Sequence, residues 1–225
     1  MKVKNCIQNQ FNKLNINVHK FNLLNIGLII IASIIASIAL LTNNYQSIIA
    51  SKIIGLAIIP FISLCIMLIA GTVGEIWSST KSCITFILVC LSVSGMIGFI
   101  NAYMKWKPEP TNEMLIRAHF KYENIWLELF ISFVAGIGIY FAILKTSTVA
   151  LVGLILVISI VPAMCNAGLF WGMHIHNTLL NNKKNENTEQ SLYIEYGKRS
   201  FVIFLSNITG MFLGFMVSFI AYCVI

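Results

Sequence analysis

Six long apolar runs, separated by short polar stretches, set the pattern of this chain. The runs cover residues 21–42, 47–73, 82–104, 125–144, 148–173 and 201–225. Each reaches or nearly reaches the ~20 residues that cross a hydrocarbon core of ~30 Å as an α-helix. Because so much of the chain would lie in lipid, no soluble catalytic domain fits. The pattern predicts an all-α polytopic membrane protein with six transmembrane helices.

The second and fifth runs are each broken by one proline, and the two breaks correspond. Ala57-Ile58-Ile59-Pro60 falls on Ser159-Ile160-Val161-Pro162 at an offset of 102 positions. A proline inside a membrane helix removes a backbone donor and leaves a carbonyl without its helical partner. The same break in both halves predicts a pseudo-symmetric bundle whose functional polar backbone lies near the middle of the membrane.

The chain therefore divides into two three-helix repeats, and their third helices share a run of small residues. Ser92-Val93-Ser94-Gly95-Met96 matches Asn207-Ile208-Thr209-Gly210-Met211. If all three helices of a repeat cross the membrane, the two repeats are inverted. If the proline helices instead enter and return, the repeats are parallel. We predict the inverted arrangement.

The predicted organisation is one membrane domain over residues 21–225. Its parts are repeat one (21–104), a connecting loop (105–124) and repeat two (125–225), which includes a polar loop (174–200); a basic tail (1–20) comes first. In the connecting loop, Thr111 can cap a helix with Glu113 in its first turn. One face of that helix carries Met114, Leu115, Ala118 and Tyr122. We expect a short helix lying on the membrane surface.

Composition supports the membrane assignment and limits the partners. Only 10% of the residues are charged, against about 25% in soluble domains. The net charge of +7 comes from fifteen Lys and Arg against eight glutamates. In a membrane protein such an excess meets anionic lipid headgroups, so the bilayer is the expected partner and nucleic acid is not. The six cysteines form no disulfide framework.

Positive residues give two opposing indications of orientation. The basic tail before the first helix favours a cytoplasmic N-terminus, whereas Lys and Arg summed over all loops favour the reverse. We assign the N-terminus to the cytoplasm.

Polar residues beside the two prolines are candidates for a functional centre. Ser63 is three residues after Pro60, and Asn166 is one helical turn after Pro162. With the exposed carbonyls they could coordinate a cation or bind a solute, as in transporters with broken helices. The alternative is a proline kink that neighbouring helices absorb.

Further polar residues lie inside the apolar runs. Glu128, four residues into the fourth run, is either a cation or proton site facing the bundle or a glutamate near the headgroups. Lys52 is expected to extend to the membrane surface. Asn207 and Ser92 hold equivalent places in the third helices and are expected to hydrogen-bond to a neighbouring helix.

Two pairs of glycines predict close helix packing, and no motif predicts catalysis. Gly168 with Gly172, and Gly210 with Gly214, form faces that let helix backbones approach each other. His174 and His176, two apart on a helix, do not share a face, so we expect neither a metal nor a cofactor. Nucleotide-binding loops, nucleophile elbows and paired carboxylates are missing from the sequence, and we do not expect an enzyme.

Both halves of the chain contain short motifs in a characteristic order and spacing. In the second half they run from Ala150-Leu151-Val152-Gly153 through Val161-Pro162 to Ala167-Gly168-Leu169, and then to Phe204-Leu205-Ser206-Asn207. In the first half they include Leu40-Leu41-Thr42-Asn43, Ile58-Ile59-Pro60 and Asn112-Glu113-Met114-Leu115-Ile116-Arg117. In these motifs the chain resembles the prokaryotic hydrophobic family catalogued as domain of unknown function 389, over roughly residues 22–225. The resemblance implies a multi-pass bacterial membrane protein and carries over no catalytic residues.

The chain departs from the family pattern at three places. Leu64 and Ala163 stand where members often have a second proline. Glu128 matches the family's acidic residue, but the segment that leads to it is about four residues longer than in the family. The tail of about 20 residues stands where many members have a soluble domain.

The sequence thus predicts a transporter-like or channel-like protein of a bacterial inner membrane, for an ion or small solute. Its alternative is a non-transporting scaffold or assembly partner, and association into a homo-oligomer is left open. The residues assigned to the polar centre are Pro60, Ser63, Ser92, Glu128, Pro162, Asn166 and Asn207.

Overall fold

Helices account for all the regular structure in the part of the chain that the structure, a computed structural model, describes. That part comprises residues 23–54, 58–70, 73–106, 109–118, 125–145, 148–180 and 187–224. The helices are α1 (Leu23–Leu41), α2 (Tyr45–Ile54), α3 (Ile58–Ala70), α4 (Val73–Met104), α5 (Asn112–Ala118), α6 (Ile125–Leu144), α7 (Thr148–Val157), α8 (Ile160–Leu180) and α9 (Asn187–Val224).

Four of these helices are long and apolar enough to cross a membrane. The candidate spans are Leu24–Leu41, Val73–Met104, Ile125–Leu144 and Leu192–Tyr222, in α1, α4, α6 and α9. A fifth span arises if α2 and α3, which meet at 45°, are counted together. The all-helical membrane fold is therefore confirmed at the level of four or five spans, while six crossings remain a prediction.

Both prolines lie in the first turn of a helix. Pro60 is the third residue of α3 and Pro162 is the third residue of α8. The first four N–H groups of an α-helix have no acceptor within the helix, so a proline there sacrifices no backbone hydrogen bond. Residues 158–159 separate α7 from α8 and so precede Pro162, whereas Ala57 lies outside the described residues.

One segment differs from its predicted extent. Much of the predicted polar loop 174–200 is helical, because α8 continues to Leu180 and α9 begins at Asn187. The rings of Tyr193 and Tyr196 lie 6.0 and 5.3 Å from the Phe170 ring of α8. These aromatic contacts give the polar start of α9 an apolar face, which composition alone does not reveal.

The short helix α5 begins where the sequence predicts but is docked against the bundle. Thr111 caps it, since its hydroxyl accepts a hydrogen bond from Met114 N–H at 3.4 Å and donates one to the Leu40 carbonyl of α1. Met114 and Ala118 are fully buried. α5 packs on α1, α8 and α9, so it contacts the bundle, while its predicted position at the membrane surface stays a prediction. Tyr122 lies outside the described residues.

Helices α4 and α8 run in the same direction and touch through their backbones. A Cβ at Gly168 would lie 3.1 Å from the Leu91 carbonyl oxygen, and a Cβ at Gly172 would lie 3.0 Å from Phe99 N. Since later residues of α8 meet later residues of α4, the two helices are parallel.

Helices α6 and α9 form a second parallel pair. A Cβ at Gly210 would lie 2.9 Å from the Ser132 Cβ, and a Cβ at Gly214 would lie 3.1 Å from Ile137 N. The four glycines assigned to close packing therefore lie at two backbone-to-backbone contacts. The small-residue faces let the backbones of both helix pairs come into contact.

Candidate functional site

Helices α2 and α7 meet through one lysine. Lys52, two residues before the end of α2, donates a hydrogen bond from Nζ to the Leu156 carbonyl oxygen at 2.9 Å. Leu156 is the second-last residue of α7, directly before the interruption that precedes Pro162. The last four carbonyls of an α-helix have no donor within the helix, so the ammonium group of Lys52 satisfies one of them.

Three further charged residues lie within electrostatic range of Lys52. The charges of Arg117, Glu128 and Glu113 all act on its amine. Arg117 and Glu113 pair with each other on α5, at 2.7 Å between Nη1 and Oε2, and both side chains are largely buried. The half-buried Glu128 comes from the first turn of α6. Helices α2, α5 and α6 thus carry two positive and two negative charges that interact electrostatically around the Lys52 amine.

Asn166 ties α8 to α5 and α9 beside this charged group. Its Nδ2 donates to the Met114 carbonyl at 3.0 Å and to Ser200 Oγ at 2.9 Å. The Ser200 hydroxyl in turn donates to the Arg117 carbonyl at 3.2 Å. Asn166 and Ser200 are fully buried, so these bonds form away from solvent. We call Lys52, Glu128, Arg117, Asn166 and Ser200 the polar centre.

Two polar atoms of the centre have no hydrogen-bond partner among the described residues. They are Asn166 Oδ1 and Arg117 Nε, an acceptor and a donor. Burying such an atom unpaired costs about 1–3 kcal/mol. In native proteins few buried polar atoms lack a hydrogen-bond partner. A bound ligand or an ordered water would supply a partner for both atoms.

One protein family matches most of this chain, including nearly all of the polar centre. The family is described as Domain of unknown function (DUF389), and it matches residues 53–213. The chain belongs to this family. No curated protein and no solved structure matches it. Of the five residues of the polar centre, only Lys52 lies outside the matched DUF389 segment, by one position.

Asn207 of this DUF389 chain joins α9 to α6. Its Oδ1 accepts a hydrogen bond from Ser132 Oγ at 2.8 Å, and its Nδ2 has no partner among the described residues. The bond lies next to the Gly210 contact, so polar and small residues hold the same helix pair together. This arrangement is the inter-helix bond that the sequence predicts for Asn207.

The remaining residues that the sequence predicted for a functional centre lie outside the polar centre defined above. Ser63 bonds to Ser79 of α4 at 3.0 Å, and the Pro60 carbonyl accepts from the Cys83 thiol at 3.3 Å, which places both in the α3–α4 contact. Ser92 is exposed, and its hydroxyl donates to the Val89 carbonyl of its own helix. Ser92 therefore makes no bond to a neighbouring helix among the described contacts, unlike Asn207.

Sequence reasoning missed three residues of the centre. Lys52 was expected to extend to the membrane surface, but its amine is bonded to Leu156. Arg117 and Ser200 lie in segments interpreted as a surface helix and a loop. The available signal was their charge and polarity next to apolar runs, which is too common to single them out. Among the described residues, no group of three or more His, Cys, Asp or Glu could hold a metal ion.

Proposed function

We propose that this DUF389 protein moves an ion or small solute across a bacterial inner membrane through the polar centre. The observation that carries the proposal is the bond between Lys52 and Leu156, which joins α2 to the end of α7, just before the residues that separate α7 from α8. Broken helices expose backbone groups that can bind a solute without being exposed to lipid.

The energetics of the polar centre favour a functional role. A charged side chain at the middle of a membrane helix costs about 2.5–3.5 kcal/mol on insertion scales, so charges there are rare. Lys52 and Glu128 both belong to apolar runs, and the Lys52 amine is bonded to the Leu156 carbonyl of another helix. The unpartnered Asn166 Oδ1 adds a buried acceptor beside them.

Helix directions support six crossings and inverted repeats. Because α6 and α9 are parallel, the chain between them must return across the membrane, and α7 with α8 supplies the connecting helices. Full crossing is therefore favoured over re-entrant proline helices. Helix contacts support the proposed repeats, because α1 with α2, α3 with α4 and α1 with α4 correspond to α6 with α7, α8 with α9 and α6 with α9.

The remaining parts of the proposal follow from composition. The N-terminus lies in the cytoplasm, the basic loops contact anionic headgroups, and the chain has no enzymatic activity of its own.

The test is transport by purified protein in liposomes. We expect flux for at least one member of a broad panel of ions and small solutes, and loss of that flux in Glu128→Gln and Asn166→Leu. The matched control is Lys81→Met, because Lys81 is exposed and its amine lies over the Trp77 ring at 5.2 Å, away from the centre. If no solute moves, or if the centre variants transport as well as the control, the proposal is wrong.

A non-transporting scaffold is the second candidate. The observation that favours it is the backbone contact at Gly168 and Gly214, since such close junctions suit a rigid bundle. A scaffold predicts a stable complex with another membrane protein after gentle detergent extraction. It also predicts that Glu128→Gln leaves the cellular phenotype unchanged.

A further inference from the structure

Two cysteine thiols from different helices contact the same serine in the interior of the bundle. The Ser33 hydroxyl of α1 lies 3.3 Å from Cys90 Sγ of α4. The Cys165 thiol of α8 donates to the Ser33 carbonyl at 3.9 Å, and the two thiols also interact directly. All three residues are fully buried. Helices α1, α4 and α8 therefore meet at a pair of sulfur atoms and one hydroxyl group.

The backbone contact between α4 and α8 holds these sulfur atoms together. Three residues after Cys165, a Cβ at Gly168 would lie 3.1 Å from the Leu91 carbonyl oxygen. Leu91 directly follows Cys90 in α4. A cysteine side chain has only one torsion that moves its sulfur, so the helix contact largely sets the spacing of the two thiols.

The thiol pair lies near the middle of the membrane. Ser33 belongs to the candidate span Leu24–Leu41 and is about 12 Å from its end, at ~1.5 Å per residue. Because the hydrocarbon core is ~30 Å thick, this position is far from both headgroup layers. A net charge at such a depth is strongly unfavourable, so an ion bound there must be neutralised by its ligands.

Ser37 provides a second observation at the same place. It is fully buried one turn after Ser33 on α1, and its hydroxyl lies beside the Cys165 thiol without forming a hydrogen bond to any described residue. Such an unpaired buried hydroxyl is uncommon in native proteins. A thiolate accepts hydrogen bonds more strongly than a neutral thiol, so ionisation of Cys165 gives this hydroxyl an acceptor.

We propose that Cys90 and Cys165 form a two-sulfur site for the soft monovalent ion Cu(I), with the hydroxyls of Ser33 and Ser37 donating to the bound sulfurs. Thiolate ligands select soft ions such as Cu(I), Zn²⁺ and iron–sulfur clusters. Structural zinc sites and iron–sulfur clusters take about four protein ligands, whereas two sulfurs suffice for Cu(I).

Charge balance also favours a monovalent ion. On binding, one Cu–S bond replaces one S–H bond and the proton leaves to solvent, while the other thiol coordinates through a sulfur lone pair. One Cu(I) ion with one thiolate is neutral, which avoids a net charge in the membrane interior. No electron is transferred in this step. The inference goes beyond the proposed function, because it concerns metal binding and requires no solute flux.

Simple packing of small apolar side chains is the competing explanation for buried cysteines. Cys65 and Cys83 provide a matched control, because both are also buried free thiols of this bundle. The Cys83 thiol donates to the Pro60 carbonyl, at 3.3 Å, instead of meeting a serine hydroxyl. Packing alone predicts that removing either pair has the same effect on Cu(I) binding.

The experiment is anaerobic titration of the purified chain in detergent with Cu(I), in competition with bicinchoninate, each sample being left to reach equilibrium. Cys6 and Cys223 are replaced by serine throughout. This background is compared with two variants of it, one carrying Cys90→Ala with Cys165→Ala and the other carrying Cys65→Ala with Cys83→Ala. We expect the background and the second variant to bind one Cu(I) per chain and the first variant to bind none.

Two further measurements test the proposed ligands. X-ray absorption of the bound copper should show two sulfur ligands. Ser37→Ala should weaken Cu(I) binding by about 10–100-fold, as the loss of a hydrogen bond to a metal ligand typically does. Because one proton is released, the affinity should rise about tenfold for each pH unit.

Each outcome decides the inference. If the variant without Cys90 and Cys165 binds Cu(I) like the background, or if both pair variants lose binding equally, the site does not exist. If circular dichroism shows that this variant does not fold, Cys90→Ser with Cys165→Ser takes its place, because serine keeps the size and removes the sulfur. Binding in detergent is independent of liposome flux, so failure of transport leaves this result standing.

Discussion

Gly214→Ala tests the backbone contact between α6 and α9. A Cβ at Gly214 would overlap the Phe133 carbonyl oxygen and would lie 2.9 Å from the Phe133 carbonyl carbon. That second distance is about 0.6 Å short of the ~3.5 Å at which carbon atoms pack. Both atoms belong to the backbone of α6, which cannot rotate away as a side chain can. The added methyl group must therefore push α6 and α9 apart.

The matched control is the same substitution at Gly27 of α1, where a Cβ would meet no atom within 4 Å. Both variants gain helix propensity, by up to about 1 kcal/mol, so that contribution cancels in the comparison. The difference is the cost of overpacking, which is about 1–3 kcal/mol. We expect Gly214→Ala to be less stable than Gly27→Ala by that amount.

The assay is reversible unfolding in mixed detergent micelles, followed by circular dichroism, which gives the free energy of unfolding of each variant. Equal free energies for the two variants would show that α6 and α9 do not pack in the register described here. The parallel arrangement of the pair, and with it the argument for full crossing by α7 and α8, would then lose its support.

Three further predictions concern other contacts. Thr111→Val removes the cap of α5 and its bond to Leu40, which costs about 1 kcal/mol of stability. Trypsin should therefore cleave after Arg117 about fivefold faster than in wild type. An unchanged cleavage rate would mean that other contacts hold α5. A double-mutant cycle of Ser132→Ala and Asn207→Leu should give a coupling of about 0.6 kcal/mol in the free energy of unfolding, whereas zero coupling would rule out their bond. With Cys6 and Cys223 replaced by serine, the folded protein should react slowly with maleimide, because its other cysteines are buried. Adding Gly74→Cys to this variant should give rapid labelling. Fast labelling without Gly74→Cys would contradict the burial of Cys65, Cys83, Cys90 and Cys165.

Local features of α5 could be predicted from the sequence, but its position could not. The cap at Thr111 and the apolar face with Met114 and Ala118 follow from residue types and helical spacing. Such a face fits a membrane surface as well as it fits a bundle. The bond from Asn166 to the Met114 carbonyl distinguishes the two positions, and it joins residues 52 positions apart.

Lys52 shows why the polar centre was only partly predictable. A lysine near the end of an apolar run normally extends to the headgroups, since that avoids the cost of burial. Its actual partner, the Leu156 carbonyl, is a backbone group 104 positions away. No side-chain pattern identifies such a carbonyl, because the acceptor depends on where α7 ends and not on what residue 156 is.

The sequence by itself determined that this chain is helical and membrane-embedded, because apolar length and low charge leave few other options. It also determined the positions of the two prolines and of the glycines that let helices touch. Only the tertiary structure decided which helices pair and which polar groups meet. The physical reason is that a membrane helix is apolar on nearly every side, so hydrophobic periodicity does not say which face meets which neighbour. Those choices depend on backbone contacts at Gly168 and Gly214 and on long-range bonds from Lys52 and Asn166, which exist only once the chain has folded.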